Sequence, residues 1–216
     1  MRLGLIGDVH AEDVRLEVAL ARLGAERVDR LLCTGDIVDG QGDVDRACAL
    51  LEAHRVATVR GNHDRWIRED TMRDLPHAHV MTALAPRSIA LLKTLPPTLR
   101  VDTPMGQLLL GHGVAERDMA RLGPNDTGYG LATNDALLGV LFDASVSILV
   151  GGHTHEAYVR RFERGAAKPP LVVVNAGTLA RDDAPGFVLL DLGARRVDFF
   201  SLGPACEVTL RSRAVL

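Results

Sequence analysis

Arg2-Leu3-Gly4-Leu5-Ile6-Gly7-Asp8-Val9-His10 opens the chain with a short apolar run that stops at a glycine, then delivers a carboxylate and an imidazole two residues apart. Four later stretches repeat the arrangement. Arg30–Cys33 leads into Gly35-Asp36, Val56–Val59 into Gly61-Asn62-His63-Asp64, Leu108–Leu110 into Gly111-His112-Gly113, and Ile148–Val150 into Gly152-His153-Thr154-His155. Short apolar or β-rich runs bounded by glycine or polar residues read as buried strands. In stacked α/β sheets, groups just past the strand ends gather in one crevice, so residues distant in sequence meet there.

Asp8, His10, Asp36, Asn62, His112, His153 and His155 supply carboxylate, amide carbonyl and imidazole. The set lacks thiolate and so does not read as a closed structural zinc site. It suits Mn, Fe, Zn, Co or Ni, with positions left open for water and substrate. Asp36 is the natural bridge, because a carboxylate has two oxygens to share between two cations. A single segment such as Gly111-His112-Gly113 reads equally well as a satisfied polar turn. Five in order describe a pocket for two divalent ions.

The ordered set D-x-H, G-D, G-N-H-D, an isolated His and G-H-x-H resembles the signature of the calcineurin-like metallophosphoesterase superfamily, over roughly residues 1–192. Within it the chain is similar to the small single-domain bacterial and archaeal phosphodiesterase-like branch. The resemblance implies an α/β fold, a four-layer α-β-β-α sandwich of two stacked mixed sheets flanked by helices, formed by one domain spanning residues 1–216. It assigns Asp8, His10, Asp36 and His155 to one ion, and Asp36, Asn62, His112 and His153 to the other. Manganese is the first expectation for the metal. His63 takes the place of the family's non-ligand catalytic histidine, with Asp64 orienting it.

What the resemblance implies for chemistry is phosphodiester hydrolysis by attack of a metal-bridging hydroxide, with His63 stabilising charge or protonating the leaving oxygen. The alternative substrates are phosphomonoesters, as nucleotides or phosphoproteins. A third reading, from a different class, is a metal-binding scaffold that has kept the fold without useful turnover. Against that scaffold stands His63, which the retromer scaffold branch has lost. Gly35-Asp36-Ile37-Val38-Asp39-Gly40 lacks the phosphate-gripping Arg of G-D-x-V-D-R-G, which weakens a protein-phosphatase or dinucleoside polyphosphatase assignment. Arg65, Arg117 and Arg121 lie near enough to pocket segments to replace it.

The 216 residues suffice for one large domain with an ample core, and a net charge of −3 gives no general attraction for nucleic acid or an anionic membrane. Cys33, Cys48 and Cys206 form no framework or metal motif. No signal segment or membrane-length apolar run is read, so a cytoplasmic location and a small phosphate-ester or nucleotide substrate are expected. Helices are expected at Glu12–Leu23, Val44–Ala53, Arg87–Thr94 and Thr133–Asp143, the last capped by Thr133. A hairpin is expected around Pro104 to Gly106, then strands at Ala157–Phe162, Leu171–Val174, Phe187–Asp191 and Val197–Leu202. Arg65–Leu84 is the least regular part. His54, His77 and His79 read as surface residues, and Asp39, Asp43 and Asp45 as helix N-terminal charge. Trp66 reads as packing, and Asn175-Ala176-Gly177-Thr178 as a turn supporting the site. The polar loop Val114–Gly130 is the expected wall of the active site.

Overall fold

Leu3 and Leu5 of the first strand, β1 (Arg2–Ile6), point to one face of their sheet, and Gly4 and Ile6 to the other, as the two-residue period of a strand requires. That split decides the layering. The computed structural model describes residues 1–165 and 168–216. After β1 come α1 (Asp13–Ala25), β2 (Arg30–Cys33), α2 (Val44–Ala53), β3 (Ala57–Thr58), α3 (Asn62–Glu69), a 3-10 turn at Met81–Ala83 and α4 (Pro86–Thr94). The second half contains β4 (Thr98–Thr103), β5 (Gly106–Gly111), α5 (Gly128–Ala132), α6 (Asp135–Phe142), β6 (Val146–Gly151), β7 (Tyr158–Phe162) and β8 (Leu171–Asn175). It closes with β9 (Gly186–Asp191), β10 (Arg196–Leu202) and β11 (Val208–Val215).

Two mixed sheets form, in the orders β11-β10-β9-β1-β2-β3 and β4-β5-β6-β8-β7. Strands β1, β2 and β3 run parallel in the first sheet, and β5, β6 and β8 in the second. Leu3, Leu5, Leu32, Val188 and Leu190 meet Leu108, Leu110, Ile148, Val150 and Val174 between the sheets. The outer face of the first sheet packs Ile6, Cys33, Phe187 and Leu189 against Leu16, Leu20 and Leu23 of α1, Leu51 of α2 and Leu92 of α4. Leu149, Val146 and Val173 of the second sheet pack beneath Leu137 and Val140 of α6, with Val114 and Leu122 from the loop before it. Burial of apolar surface on three successive faces holds the four layers together.

Several expected elements differ at their ends. Residues Val56–Val59 were expected as one strand, but only Ala57–Thr58 pair, because β3 is an edge and the chain turns away after it, the Arg60 N–H donating to the Pro96 carbonyl at 2.8 Å. Asn134, not Thr133, caps α6: its side chain accepts from the Leu137 N–H at 3.0 Å. Helix α3 occupies the start of the stretch read as least regular. It is eight residues long and buries a single apolar side chain, Ile67, so it carries little periodic signal. Strand β11 is mostly exposed and lacks an apolar face; it forms by pairing along β10.

Candidate metal centre

All five ligand-bearing segments follow parallel strands: Asp8 and His10 follow β1, Asp36 β2, Asn62 β3, His112 β5, and His153 and His155 β6. Parallel strands point their carboxyl ends the same way, so the two sheets deliver their polar ends to one edge of the sandwich. The turns there are tight. His10, Asp36, Asp39, His153 and His155 hold φ of 45°, 47°, 65°, 66° and 60°. The left-handed region costs a side chain about 1–3 kcal/mol and persists where surrounding contacts fix it. A Cβ on Gly152 would lie 2.2 Å from Asp8 Oδ1, and one on Gly61 2.1 Å from Asp36 Oδ1. Glycine at these two places lets the second loop of each pair close on a carboxylate.

The side chains form two halves. In the buried half, His112 Nε2 stands 2.8 Å from Asn62 Oδ1 and 3.2 Å from Asp36 Oδ2. His112 Nδ1 faces the Thr34 carbonyl at 2.9 Å and must donate to it, which leaves Nε2 to meet two oxygens. His153 lies beside this group, its ring centroid 5.2 Å from that of His112. In the open half, His10 Nε2 and His155 Nε2 face each other at 3.2 Å, with Asp8 Oδ2 3.2 Å from His155. Their Nδ1 atoms are already engaged, His10 with the Asp39 carbonyl at 2.9 Å and His155 with Asp183 at 2.5 Å. Two neutral imidazoles so tied would aim lone pairs at one another.

Both halves therefore call for a positive charge among acceptors, and the ionisation of the ligands agrees. Burial works against a charge on His112, yet the Asp36 and Asp8 carboxylates push its imidazole up to about 10. Burial likewise opposes ionisation of Asp36, but His112 holds its carboxyl well below the usual range. His155 rises to about 9 against its burial, through Asp8 and Asp183. Asp8 with His10 and His155, and Asp8 with Asp36 and His112, bring one ligand atom each within 4.8 Å of one another. Nitrogen and oxygen donors at these spacings, without thiolate, fit divalent first-row ions.

The sequence matches the model of the calcineurin-like phosphoesterase superfamily domain over residues 1–195. The chain belongs to that superfamily. No curated protein matches it in sequence. Among solved structures it is similar to a metallophosphoesterase from Sphaerobacter thermophilus, with 21% identity and a TM-score of 0.69 over 94% of this chain and 88% of that one. It is also similar to an archaeal phosphodiesterase, at 14% identity and a TM-score of 0.59, covering 94% of this chain and 100% of the other. A zinc complex of wild-type Vps29 from Entamoeba histolytica gives 19% identity and a TM-score of 0.59, covering 100% of this chain and 99% of that one. At these identities the likeness is one of fold.

One contact expected for a superfamily site of this kind is placed differently. His63 Nδ1 meets Asp39 Oδ2 at 2.7 Å, while Asp64 turns inward and accepts from the Ile37 and Gly61 N–H groups at 2.8 and 3.0 Å. The reason is helical geometry. Asp64 is the third residue of α3, where a carboxylate folds back on the exposed N–H groups of the helix start. Asp39 is buried and is gripped in turn: Arg73 donates to both its oxygens at 3.0 and 2.9 Å, and the His79 N–H at 2.8 Å. Burial disfavours the ionised Asp39, but these donors and His63 lower its pKa. His63 is raised despite its burial, by the hydrogen bond to Asp39. Its ring packs 4.6 Å from that of Trp66, one turn on, and the His63 backbone N–H donates to Asp36 Oδ1 at 2.8 Å.

Asp39, Arg73, His79 and Asp183 thus touch the centre without having been read as part of it. For Asp39 the only signal in the sequence was its place three residues after Asp36, in the same polar-ended segment Gly35-Asp36-Ile37-Val38-Asp39. Asp43 and Asp45 do serve helix starts, accepting from the N–H groups of Arg46 and Ala85. Asn175 supports the site, donating to the Gly152 carbonyl at 2.7 Å and Thr154 Oγ1 at 3.1 Å. Of the three candidate arginines, Arg65 pairs with Asp118 at 2.6 Å, and Arg117 lines a groove with Thr98 and Asp135. Arg121 lines a cavity with Thr154, between the two ligand histidines. No helix among the described residues is long and apolar enough to cross a membrane.

Proposed function

We propose that the protein is a dinuclear metal-dependent phosphodiesterase. The observation that carries this reading is that Asp36 Oδ2 stands 3.2 Å from His112 Nε2 in one acceptor-rich half and 3.9 Å from His10 Nε2 in the other, while Asp8 also belongs to both groups. Asp8, His10, Asp36 and His155 would hold one ion, and Asp36, Asn62, His112 and His153 the other. Two such ions, when bound, supply Lewis acidity to the phosphoryl oxygens and make water a nucleophile near neutral pH. Manganese is the first candidate, and the donor set serves iron, zinc, nickel and cobalt as well.

The chain's own residues supply the rest. His63 is kept out of both proposed ligand sets, although one of its ring nitrogens lies within 4.8 Å of ligand atoms of His10 and Asp36, and Asp39 fixes the ring and favours its protonated form. A charged imidazole there stabilises the transition state and gives its proton to the leaving oxygen. Trp66 against the ring limits its rotation. A dianionic monoester is less suited to the rim, where Asp182 and Asp183 stand. The archaeal fold relative described as a phosphodiesterase supports the same choice.

The test is hydrolysis of an aryl phosphodiester and the matching monoester by metal-stripped protein, with Mn, Fe, Ni, Co, Zn and Mg restored singly and His63→Ala in parallel. Metal-dependent turnover that favours the diester and falls in the variant is expected. Absence of turnover despite binding of two ions per chain would instead favour a scaffold.

A further inference from the structure

Helix α3 ends in a reversal that carries Arg73 back to the carboxylate on which His63 rests. Asp70 and Met72 hold φ of 52° and 54°, and past them Arg73 and His79 both reach Asp39. Four of the five N–H groups of Arg73 are spent there. Nε donates to the Thr71 carbonyl at 2.8 Å, and Nη1 to Asp39 Oδ1 and the His79 carbonyl at 3.0 and 2.7 Å. Nη2 donates to Asp39 Oδ2 at 2.9 Å. The His79 N–H adds a bond to Oδ1 at 2.8 Å, and the Asp39 N–H donates to the His79 ring at 3.1 Å. The place left on Oδ2 takes His63 Nδ1 at 2.7 Å. Each Asp39 oxygen thus accepts twice, which fills the carboxylate.

The shape of the guanidinium matters here as much as its charge. Its planar fork meets both oxygens and fixes the plane of the carboxylate, which an ammonium would leave free to turn. The Asp39 side chain is 2% exposed and that of Arg73 13%, so water competes little for the pair. Oδ2 is therefore presented to His63 in one orientation. The loop that carries Arg73 also walls the cavity of about 300 Å³ beside His10, His63 and His155, through Pro76 and His77. Among the carboxylates lining that cavity, Glu12 is engaged with Arg181, Asp183 with His155 and Asp182 with Gln41. Asp39 is the one that meets the His63 ring.

We infer that Arg73 is a positioning residue of the reaction: it sets the plane of Asp39 and, through Asp39, the place of the His63 ring. The inference rests on the phosphodiesterase reading, since it takes His63 as proton donor to the leaving oxygen. Arg73 is committed to Asp39 and its own loop before substrate arrives. Its loss should therefore act on kcat and leave KM nearly in place.

The experiment compares thymidine 5′-(phenyl phosphate) with thymidine 5′-(4-nitrophenyl phosphate), which share the retained half. Phenoxide is the poorer leaving group and depends on the proton, whereas 4-nitrophenoxide leaves largely without it. Both are assayed with metal-loaded wild type, Arg73→Met, Arg73→Lys, His63→Ala and the double variant Arg73→Met/His63→Ala. Arg73→Met should lower kcat about tenfold on the phenyl ester, part of the roughly hundredfold or more that a placed proton donor contributes. On the nitrophenyl ester the loss should be about twofold, with KM and bound metal holding on both. Arg73→Lys should recover part of kcat, and the double variant should lose no more than His63→Ala. Trp66 is the single tryptophan of the chain, with its ring 4.6 Å from that of His63, so its emission reads the ring in metal-free protein. Arg73→Met should shift that emission toward the His63→Ala value, and should leave it unmoved once His63 is gone. Equal losses on the two esters, losses that add to those of His63→Ala, or an unmoved Trp66 would overturn the inference alone. If His63→Ala itself costs no turnover, the proton-donor reading falls, and Trp66 still decides whether Arg73 places the ring. Should Arg73→Met fail to fold, Arg73→Lys, which keeps the charge and loses the fork, carries the same comparisons.

Discussion

The two halves of the metal centre are built from the same residue types and held in different ways. His112 is fully buried and Asn62 is 2% exposed, whereas the His155 side chain is 30% exposed. The outer nitrogen of His112 is tied to a backbone carbonyl, that of Thr34; the outer nitrogen of His155 is tied to a surface side chain, Asp183. A cation in the buried half answers a demand made by folding itself, because carboxylate, amide and imidazole are already pressed together there without water. The open half meets solvent at the rim of the crevice. The lesson is that one half is set into the core and the other opens at the rim of the crevice.

The heaviest blow to that comparison should come from Asp36→Asn, because Asp36 faces both halves. Turnover is expected to fall by more than the roughly hundredfold cost of losing an outer-shell partner, and bound metal to drop below two ions per chain in elemental analysis. Retention of both ions and activity would remove Asp36 as the shared ligand.

Next in size is a contrast in stability. His112→Ala leaves the buried carboxylates without their cation and should cost the metal-free protein about 3 kcal/mol in urea unfolding. His155→Ala, half open to water, should cost under about 1 kcal/mol. Equal losses would break the distinction between the halves. The same contrast has a pH signature. His112 is raised to about 10 in the fold, so the stability from its protonation is complete below its ordinary value near 6.5. It is lost as pH climbs through 10. Metal-free protein should therefore weaken from pH 7 to 10, His112→Ala should flatten the curve, and added metal should remove most of the dependence.

Asp39→Asn and Asp64→Asn sharpen the comparison inside the catalytic group. Asp39→Asn frees the His63 ring and should cut kcat about a hundredfold while metal binding holds. Asp64→Asn weakens two bonds to backbone N–H groups, and its effect should fall on stability, at about 1–3 kcal/mol, with kcat changed little. A reversed pattern would return the orienting role to Asp64. The smallest effect expected is that of Asp183→Asn, a loss of about tenfold in affinity for the ion of the open half, read by metal titration with the other ion in place.

Much of this centre was legible before any coordinates, for reasons visible in particular residues. Apolar runs ending in glycine and a polar ligand mark parallel strands, and parallel strands bring Asp8, Asp36, Asn62, His112 and His153 to one edge. What escaped was whatever depends on partners outside the local pattern. Helix α3 was hidden because it buries only Ile67 among its apolar side chains, and β11 because its pairing with β10, not its own alternation, creates it. The resemblance placed Asp64 on His63, but neighbours on a helix point apart, and its carboxylate closes the helix start instead.

By itself the sequence determined most of the strand frame and the order of the polar segments that end its parallel strands, since both follow from local periodicity and the short reach between a strand end and its own turn. Only the tertiary structure decided that Asp39 faces His63, that Arg73 and His79 hold Asp39, that Asp183 meets His155, and that Arg181 is spent on Glu12. Those pairings span 24 to 169 residues. They are fixed by where two stacked sheets bring their edges together, a distance in space that no spacing along the chain encodes.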